Sequence, residues 1–267
     1  MRKNQLRELL KEGKSTIGTR ILSAWPGIVE VIGHTGAIDY VEFVGEYAPY
    51  NLYDLENLAR ASELFGISSM LKVDQEPNCF LAQRALKSGI QNILFTDIRT
   101  VEDAKECVRI VRPETPDSKG INGCHAARSV GYGLEAGSKE YVEAMNDVVI
   151  VFMIEKKGAV DNLEAILSVK GLDMVQFGPC DYGLSIGLAR QSFPHPEVRK
   201  AELKTITMAL KMGVRPRVEL SPLTKEEDIQ KYIELGVRDF NLPMDLTILY
   251  HYLKENGESL RKILAKV

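Results

Sequence analysis

The chain has 267 residues, 45% of them hydrophobic and 27% charged, with a formal net charge of −3. That is the composition of a soluble globular protein, and the near-neutral balance supplies no strong field to attract nucleic acid or an anionic membrane. The four cysteines (Cys79, Cys107, Cys124 and Cys180) form no CxxC pair, which argues against a zinc site or a disulfide framework and for the free thiols of a cytoplasmic protein.

In chain order, the charged start from Met1 to Glu8 lacks the apolar core of a signal peptide. Strands are then predicted at residues 18–24, 40–44, 69–73, 92–96, 148–154, 173–177, 215–220 and 240–242. Helices are predicted at 27–35, 52–64, 77–87, 101–112, 141–145, 159–167, 196–211 and 225–234, with a last helical region at 245–264. Leu52, Leu55, Leu58, Ala59 and Ser62 show the spacing of a helix with one buried face. No segment approaches the ~20 apolar residues that span a bilayer. Residues 113–137 are irregular and rich in Gly, Pro and Ser, and a loop of that length in a compact domain is usually functional. Eight strand–helix units in a chain of this length favour a closed (β/α)8 TIM barrel over an open doubly wound sheet. Gly131-Tyr132-Gly133 lacks the frame of a dinucleotide fingerprint. The expected organisation is one barrel domain over residues 1–267, with C-terminal helices from about 245 to 267 available for oligomer contacts.

Chemistry in such a barrel sits at the C-terminal strand ends. The fifth predicted strand stops at Glu155, and the sixth runs into Gly178-Pro179-Cys180-Asp181. The intervening helix makes the two strands parallel neighbours, so both acids emerge at one edge of the sheet. Two carboxylates there can chelate one hard divalent cation and leave positions for water and substrate. The alternative is that both are surface acids capping the next helices. Helix N-capping explains Asp54, Asp97 and Asp245, but not Glu46, Glu155 and Asp181 together.

Val44-Gly45-Glu46-Tyr47-Ala48-Pro49, Ile154-Glu155-Lys156 with the helix after it, and Gly178-Pro179-Cys180-Asp181-Tyr182-Gly183-Leu184-Ser185 resemble the HpcH/HpaI family of metal-dependent class II pyruvate aldolases. The similarity runs from about Gly18 to Leu249, and residues 155–185 carry its most specific motif. The resemblance implies cleavage or formation of 4-hydroxy-2-oxo acids through a metal-stabilised pyruvate enolate, with an aldehyde as the second partner. It implies that Glu155 and Asp181 ligate magnesium, manganese or cobalt, and that Gly178 and Pro179 shape the substrate turn. Trp25 matches an aromatic position after the first strand, where it either meets substrate or packs at the mouth. Arg128 matches a position that meets a substrate carboxylate or a neighbouring subunit. The resemblance also implies a hexamer, a trimer of dimers, in which the last helix reaches over a neighbour's barrel.

The chain departs from the family at the base. The family pattern Asp-Gly-Glu-His is here Val44-Gly45-Glu46-Tyr47, so the imidazole and its orienting aspartate are lost together. The family's arginine on the third strand is Lys72, which keeps the charge but loses the bidentate fork. Lys72 beside Tyr47 can favour a phenolate or an ammonium–phenol contact, or it can pair with Glu46 or Asp74. A Schiff base on Lys72 or Lys156 is a further possibility. His125, in the long loop, is the histidine placed to approach the barrel mouth, whereas His34, His195 and His251 read as surface or packing residues. Three functions stay open: an aldolase, an oxaloacetate-type decarboxylase that needs no base for a hydroxyl, and a 2-oxo acid binding protein with reduced catalysis.

Overall fold

The apolar runs pair as eight parallel strands in a computed structural model that describes residues 2–76, 78–188 and 195–266. They are β1 (Thr16–Ile21), β2 (Tyr40–Val44), β3 (Ser68–Val73), β4 (Asn92–Phe95), β5 (Val149–Ile154), β6 (Met174–Phe177), β7 (Arg215–Glu219) and β8 (Asp239–Met244). Each pairs with the next, and β8 closes on β1 with Thr16 opposite Asp239 and Gly18 opposite Asn241. The expected (β/α)8 barrel is the fold.

The helices before the fifth strand are α1 (Gln5–Lys11), α2 (Pro26–His34), α3 (Leu52–Phe65), α4 (Asn78–Ser88), α5 (Val101–Val111) and α6 (Lys139–Asn146). After it come α7 (Lys157–Asp161), α8 (Leu163–Leu167), α9 (Pro179–Ser185), α10 (Pro196–Lys211), α11 (Glu226–Leu235) and α12 (Asp245–Leu264). Pro77, where one predicted helix begins, lies outside the described residues. Local chemistry sets the helix starts. Asn51 and Asp54 form a reciprocal capping box on α3, as do Thr100 and Asp103 on α5, and Gly66 ends α3 at φ 66.

Side-chain alternation divides two cores. Outward-facing Phe43, Leu71, Ile93 and Phe152 pack with Leu55 and Leu58 beneath the helices. Inward-facing Tyr40, Met70, Leu94, Val151 and Met174 fill the barrel. Gly18 sits where an added Cβ would lie 2.2 Å from the Tyr40 ring, so only glycine lets β1 pass that ring. Helix α1 seals the N-terminal end: Leu6 is fully buried against the interior cluster, and its N–H donates to Ser68 Oγ at 3.0 Å.

Four local expectations change. Residues 159–167 form two short helices, because Asn162 leaves the helical region and donates to the Gly158 carbonyl. Residues 179–185, for which no element is predicted, form α9. Asp97 caps no helix; Thr100 does. Asp245 is not the N-cap of α12, which is Met244 without a side-chain cap; its carboxylate instead accepts from the Leu22 and Ser23 amides. Helix α12 touches β1 and β8 at its start, and none of its residues is buried.

Candidate active site

The strand ends bring Glu155 and Asp181 to one side of the mouth. Glu155 follows β5 directly, and β5 pairs with β6 up to Ile154 opposite Phe177. Gly178 then serves as the N-cap of α9, with Pro179 at its first position and Asp181 in its first turn, where the helix dipole favours a carboxylate. A Cβ on Gly178 would lie 2.6 Å from both Cβ and Oε2 of Glu155, so only glycine lets the β6 turn approach this acid.

Glu155 is 3% exposed and has no ion-pair partner within 4 Å among the described residues. Its Oε1 accepts the Asp97 N–H at 2.9 Å. Burial pushes its pKa up to about 7; the Asp97 amide and Lys72 oppose this, while Asp181 and Asp97 add to it. Asp97 offers that N–H from a left-handed backbone (φ 58), which a side chain other than glycine adopts at a cost. Lys156 bridges the remaining acids, with Nζ 2.6 Å from Asp97 and 2.9 Å from Asp181.

Two hard carboxylates side by side, one buried without a cation of its own, suit a divalent cation, which would relieve the electrostatic penalty on Glu155. Among the described residues no group of three or more His, Cys, Asp and Glu converges.

A second cluster stands on β2 and β3. Val44 is opposite Lys72, and the turn after β2 is pinned by Glu46 N donating to the Lys72 carbonyl. Lys72 is 7% exposed, pairs with Glu46 at 2.6 Å and lies 3.4 Å from the Tyr47 hydroxyl, with Nζ 4.8 Å from the Tyr47 ring centroid. Burial disfavours its ammonium, but Glu46, Tyr47 and Glu155 outweigh that and raise its pKa above the ordinary lysine value. Both anticipated contacts of Lys72, with Glu46 and with Tyr47, are present. The phenolate is not favoured: burial raises the Tyr47 pKa, and the opposing pull of Lys72 is only partial.

Two predicted residues are elsewhere. His125 and Arg128 belong to the connection from α5 to α6, which packs on the N-terminal end of the barrel. Arg128 pairs with Glu63 at 2.6 Å and donates to the Ser88 carbonyl, both at the C-terminal ends of helices that lead back to that end. His125 packs edge-on against Tyr141, and burial together with Lys87 lowers its pKa. Within this chain neither approaches the mouth, because an α-to-β connection returns the chain to the strand starts. Trp25 is at the mouth side but 68% exposed, folded over Gly27 at the start of α2. His34 packs on Phe65, His195 caps α10, and His251 meets Tyr250.

Sequence reasoning missed the polar floor of the mouth. Arg217 is fully buried, pairs with Glu42 at 2.6 Å and donates to Gln176 Oε1 at 2.7 Å. Asn241 donates to Glu42, Gln176 donates to Glu219, and Arg20 pairs with Glu219 at 2.7 Å. The available signal was Glu42 in an otherwise apolar strand, where a buried charge persists only when paired; Arg217 stood out less, because Arg215 and Glu219 flank it on β7.

The profile of the family described as HpcH/HpaI aldolase/citrate lyase matches residues 21–247. A hydroxypyruvate/pyruvate aldolase of Roseobacter denitrificans is 27% identical over 247 residues, covering 92% of this chain and 93% of that protein. A 2-keto-3-deoxy-L-rhamnonate aldolase of Escherichia coli is 29% identical over 198 residues, covering 74% of this chain and 72% of its own. The solved HpcH/HpaI aldolase of Desulfitobacterium hafniense superposes with a TM-score of 0.86 at 25% identity, covering 97% of each chain.

Proposed function

This chain belongs to the HpcH/HpaI aldolase/citrate lyase family, and on that premise we propose that it is a carbon–carbon lyase that cleaves or forms 4-hydroxy-2-oxo acids, with pyruvate as one product and an aldehyde as the other. The observation that carries this reading is the juxtaposition of buried Glu155 and first-turn Asp181 on adjacent strand ends. Glu155 and Asp181 would hold magnesium, manganese or cobalt. A cation held there would act as a Lewis acid on the 2-oxo group, where negative charge develops.

The chain's own residues supply the rest. In cleavage the C4 hydroxyl loses its proton and its oxygen becomes the aldehyde carbonyl as the C3–C4 bond breaks; the released electron pair is delocalised toward the 2-oxo oxygen, and C3 then takes up a proton to give pyruvate. Lys72 would be the fixed positive charge beside that oxygen. Its raised pKa keeps it an ammonium at neutral pH, which suits charge stabilisation and works against a Schiff base, because imine formation needs the free amine. Gly178 and Pro179 would let substrate approach the backbone, and Trp25 would border its entry.

Tyr47 would handle the proton at the C4 oxygen. A phenol with a raised pKa is a proton donor in the bond-forming direction. In the cleavage direction the phenolate is needed, so the Tyr47-dependent rate should climb with pH, about tenfold per unit below the pKa. Tyr47→Phe is expected to suppress aldol cleavage far more than oxaloacetate decarboxylation and to flatten that pH profile. Equal losses in both reactions would assign Tyr47 to substrate positioning instead.

Oxaloacetate-type decarboxylation is the second reading, favoured by Val44 and Tyr47 standing where the family's aspartate and histidine are, since that reaction moves no hydroxyl proton. Assaying pyruvate with short aldehydes, and oxaloacetate alone, with each cation decides between them. Turnover of oxaloacetate only would overturn the aldolase reading, and turnover of neither would leave a binding protein.

Helix α12 would pack over a neighbouring barrel in a hexamer, a trimer of dimers. Leu246, Leu249, Leu253 and Leu260 are each more than half exposed along it. Light scattering is expected to show a hexamer, and a stable, active monomer would refute this arrangement.

A further inference from the structure

The mouth holds one ammonium group that the proposed chemistry does not use. Lys156 leaves β5 immediately after Glu155 in an extended conformation (φ −123, ψ 147). Its side chain is 18% exposed and lies between two acids, 2.6 Å from Asp97 and 2.9 Å from Asp181. Asp97 is the mostly enclosed partner, at 15% exposure, whereas Asp181 is 41% exposed. Asp97 also holds Glu155 through its backbone N–H, so its position is set independently of Lys156.

We propose that Lys156 is a built-in competitor for the metal site: it neutralises Asp181 in the metal-free protein and retreats onto Asp97 when a divalent cation binds. This rests on the reading of Glu155 and Asp181 as metal ligands. A carboxylate that shares its charge with an ammonium is a poorer donor to a dication, and the two cations repel each other across it. The more exposed of the two ion pairs is the weaker, so Asp181 is the one released. Asp97 thereby acts as a parking site, and the pair sets the affinity for the cation without touching substrate. Lys156 and Asp97 are positioning residues in this scheme.

A role for Lys156 in orienting Asp181 predicts the opposite sign, which makes the proposal testable by binding alone. Calorimetry with Mn²⁺ on the full chain is expected to show Lys156→Met binding on the order of tenfold more tightly than wild type. Lys156→Gln, which keeps a polar head in place, should follow it. Asp97→Asn, whose side chain tolerates the left-handed backbone, removes the parking site and should weaken binding several-fold. Adding Lys156→Met to Asp97→Asn should restore tight binding. Unchanged or weaker binding in both Lys156 variants overturns the proposal, provided that wild type binds Mn²⁺ and Glu155→Gln does not. A wild type that binds no Mn²⁺, or a Glu155→Gln variant that binds it normally, overturns the metal-ligand reading itself and the proposal with it.

Discussion

Glu155→Gln and Asp181→Asn should each abolish divalent-metal binding and lower carbon–carbon cleavage by roughly three orders of magnitude or more, while leaving the barrel folded. Both changes preserve size, and the carboxamide oxygen introduced at position 155 can still accept the Asp97 N–H that Glu155 accepts at 2.9 Å. Loss of pyruvate binding should accompany loss of metal. Full activity after exhaustive chelation, with no metal found by elemental analysis, would sink the metal-dependent reading. Stability gives an independent readout. The Glu155 pKa is raised from 4.5 to about 7, so its stabilising contribution is complete below about 4.5 and is lost as pH rises through about 7. At pH 8 the ionised, buried carboxylate therefore costs the metal-free protein on the order of 3 kcal/mol. In the presence of chelator, Glu155→Gln should melt above wild type at pH 8, and the difference should close toward pH 5. Added Mn²⁺ should raise the melting temperature of wild type and leave the variant unmoved. A metal-free variant less stable than wild type at pH 8 would mean that Glu155 is held by contacts other than those described.

Lys72→Met is expected to lower kcat by two or more orders of magnitude, on the scale of removing one preorganised charge from the site where an oxyanion develops. The substitution also strands Glu46, whose carboxylate lies 2.6 Å from Lys72 Nζ, and an orphaned carboxylate can unfold the rim by itself. Lys72→Met combined with Glu46→Gln removes that burden; it should restore the melting temperature without restoring kcat. Recovery of activity in the double variant would show that Lys72 serves the pair and not the substrate. Borohydride should trap no pyruvate adduct on Lys72, because its pKa is raised and the amine stays protonated. A reduced adduct at that position would replace charge stabilisation with imine chemistry.

Each departure from the sequence reading has its own physical cause. Helix α1 went unread because seven residues are too short to display a helical period, although Leu6 is fully buried at the barrel floor. The loop at 113–137 drew attention by its length and by His125, but the alternation of strand and helix dictates that anything between α5 and β5 lies at the strand starts. Arg128 pairing with Glu63 shows the result. Asp97 looked like a cap because it stands shortly before a helix; its left-handed backbone aims its amide at Glu155 instead.

What the order of residues determined alone was the periodic part. Eight apolar runs alternating with amphipathic helices specify a parallel barrel, and the acids at the ends of β5 and β6 face one edge of it by topology. Side-chain alternation along a strand is local, so these features are legible one element at a time. Tertiary structure decided every relation across the barrel. Arg217 and Glu42 meet through the interior from β7 and β2, and Lys156 joins Asp97 to Asp181 across three strand ends. It also decided the electrostatics: burial and neighbouring acids raise Glu155, and burial overrides Lys72 at Tyr47. A pKa depends on which charges and how much water surround a group after folding, and those neighbours come from distant parts of the chain.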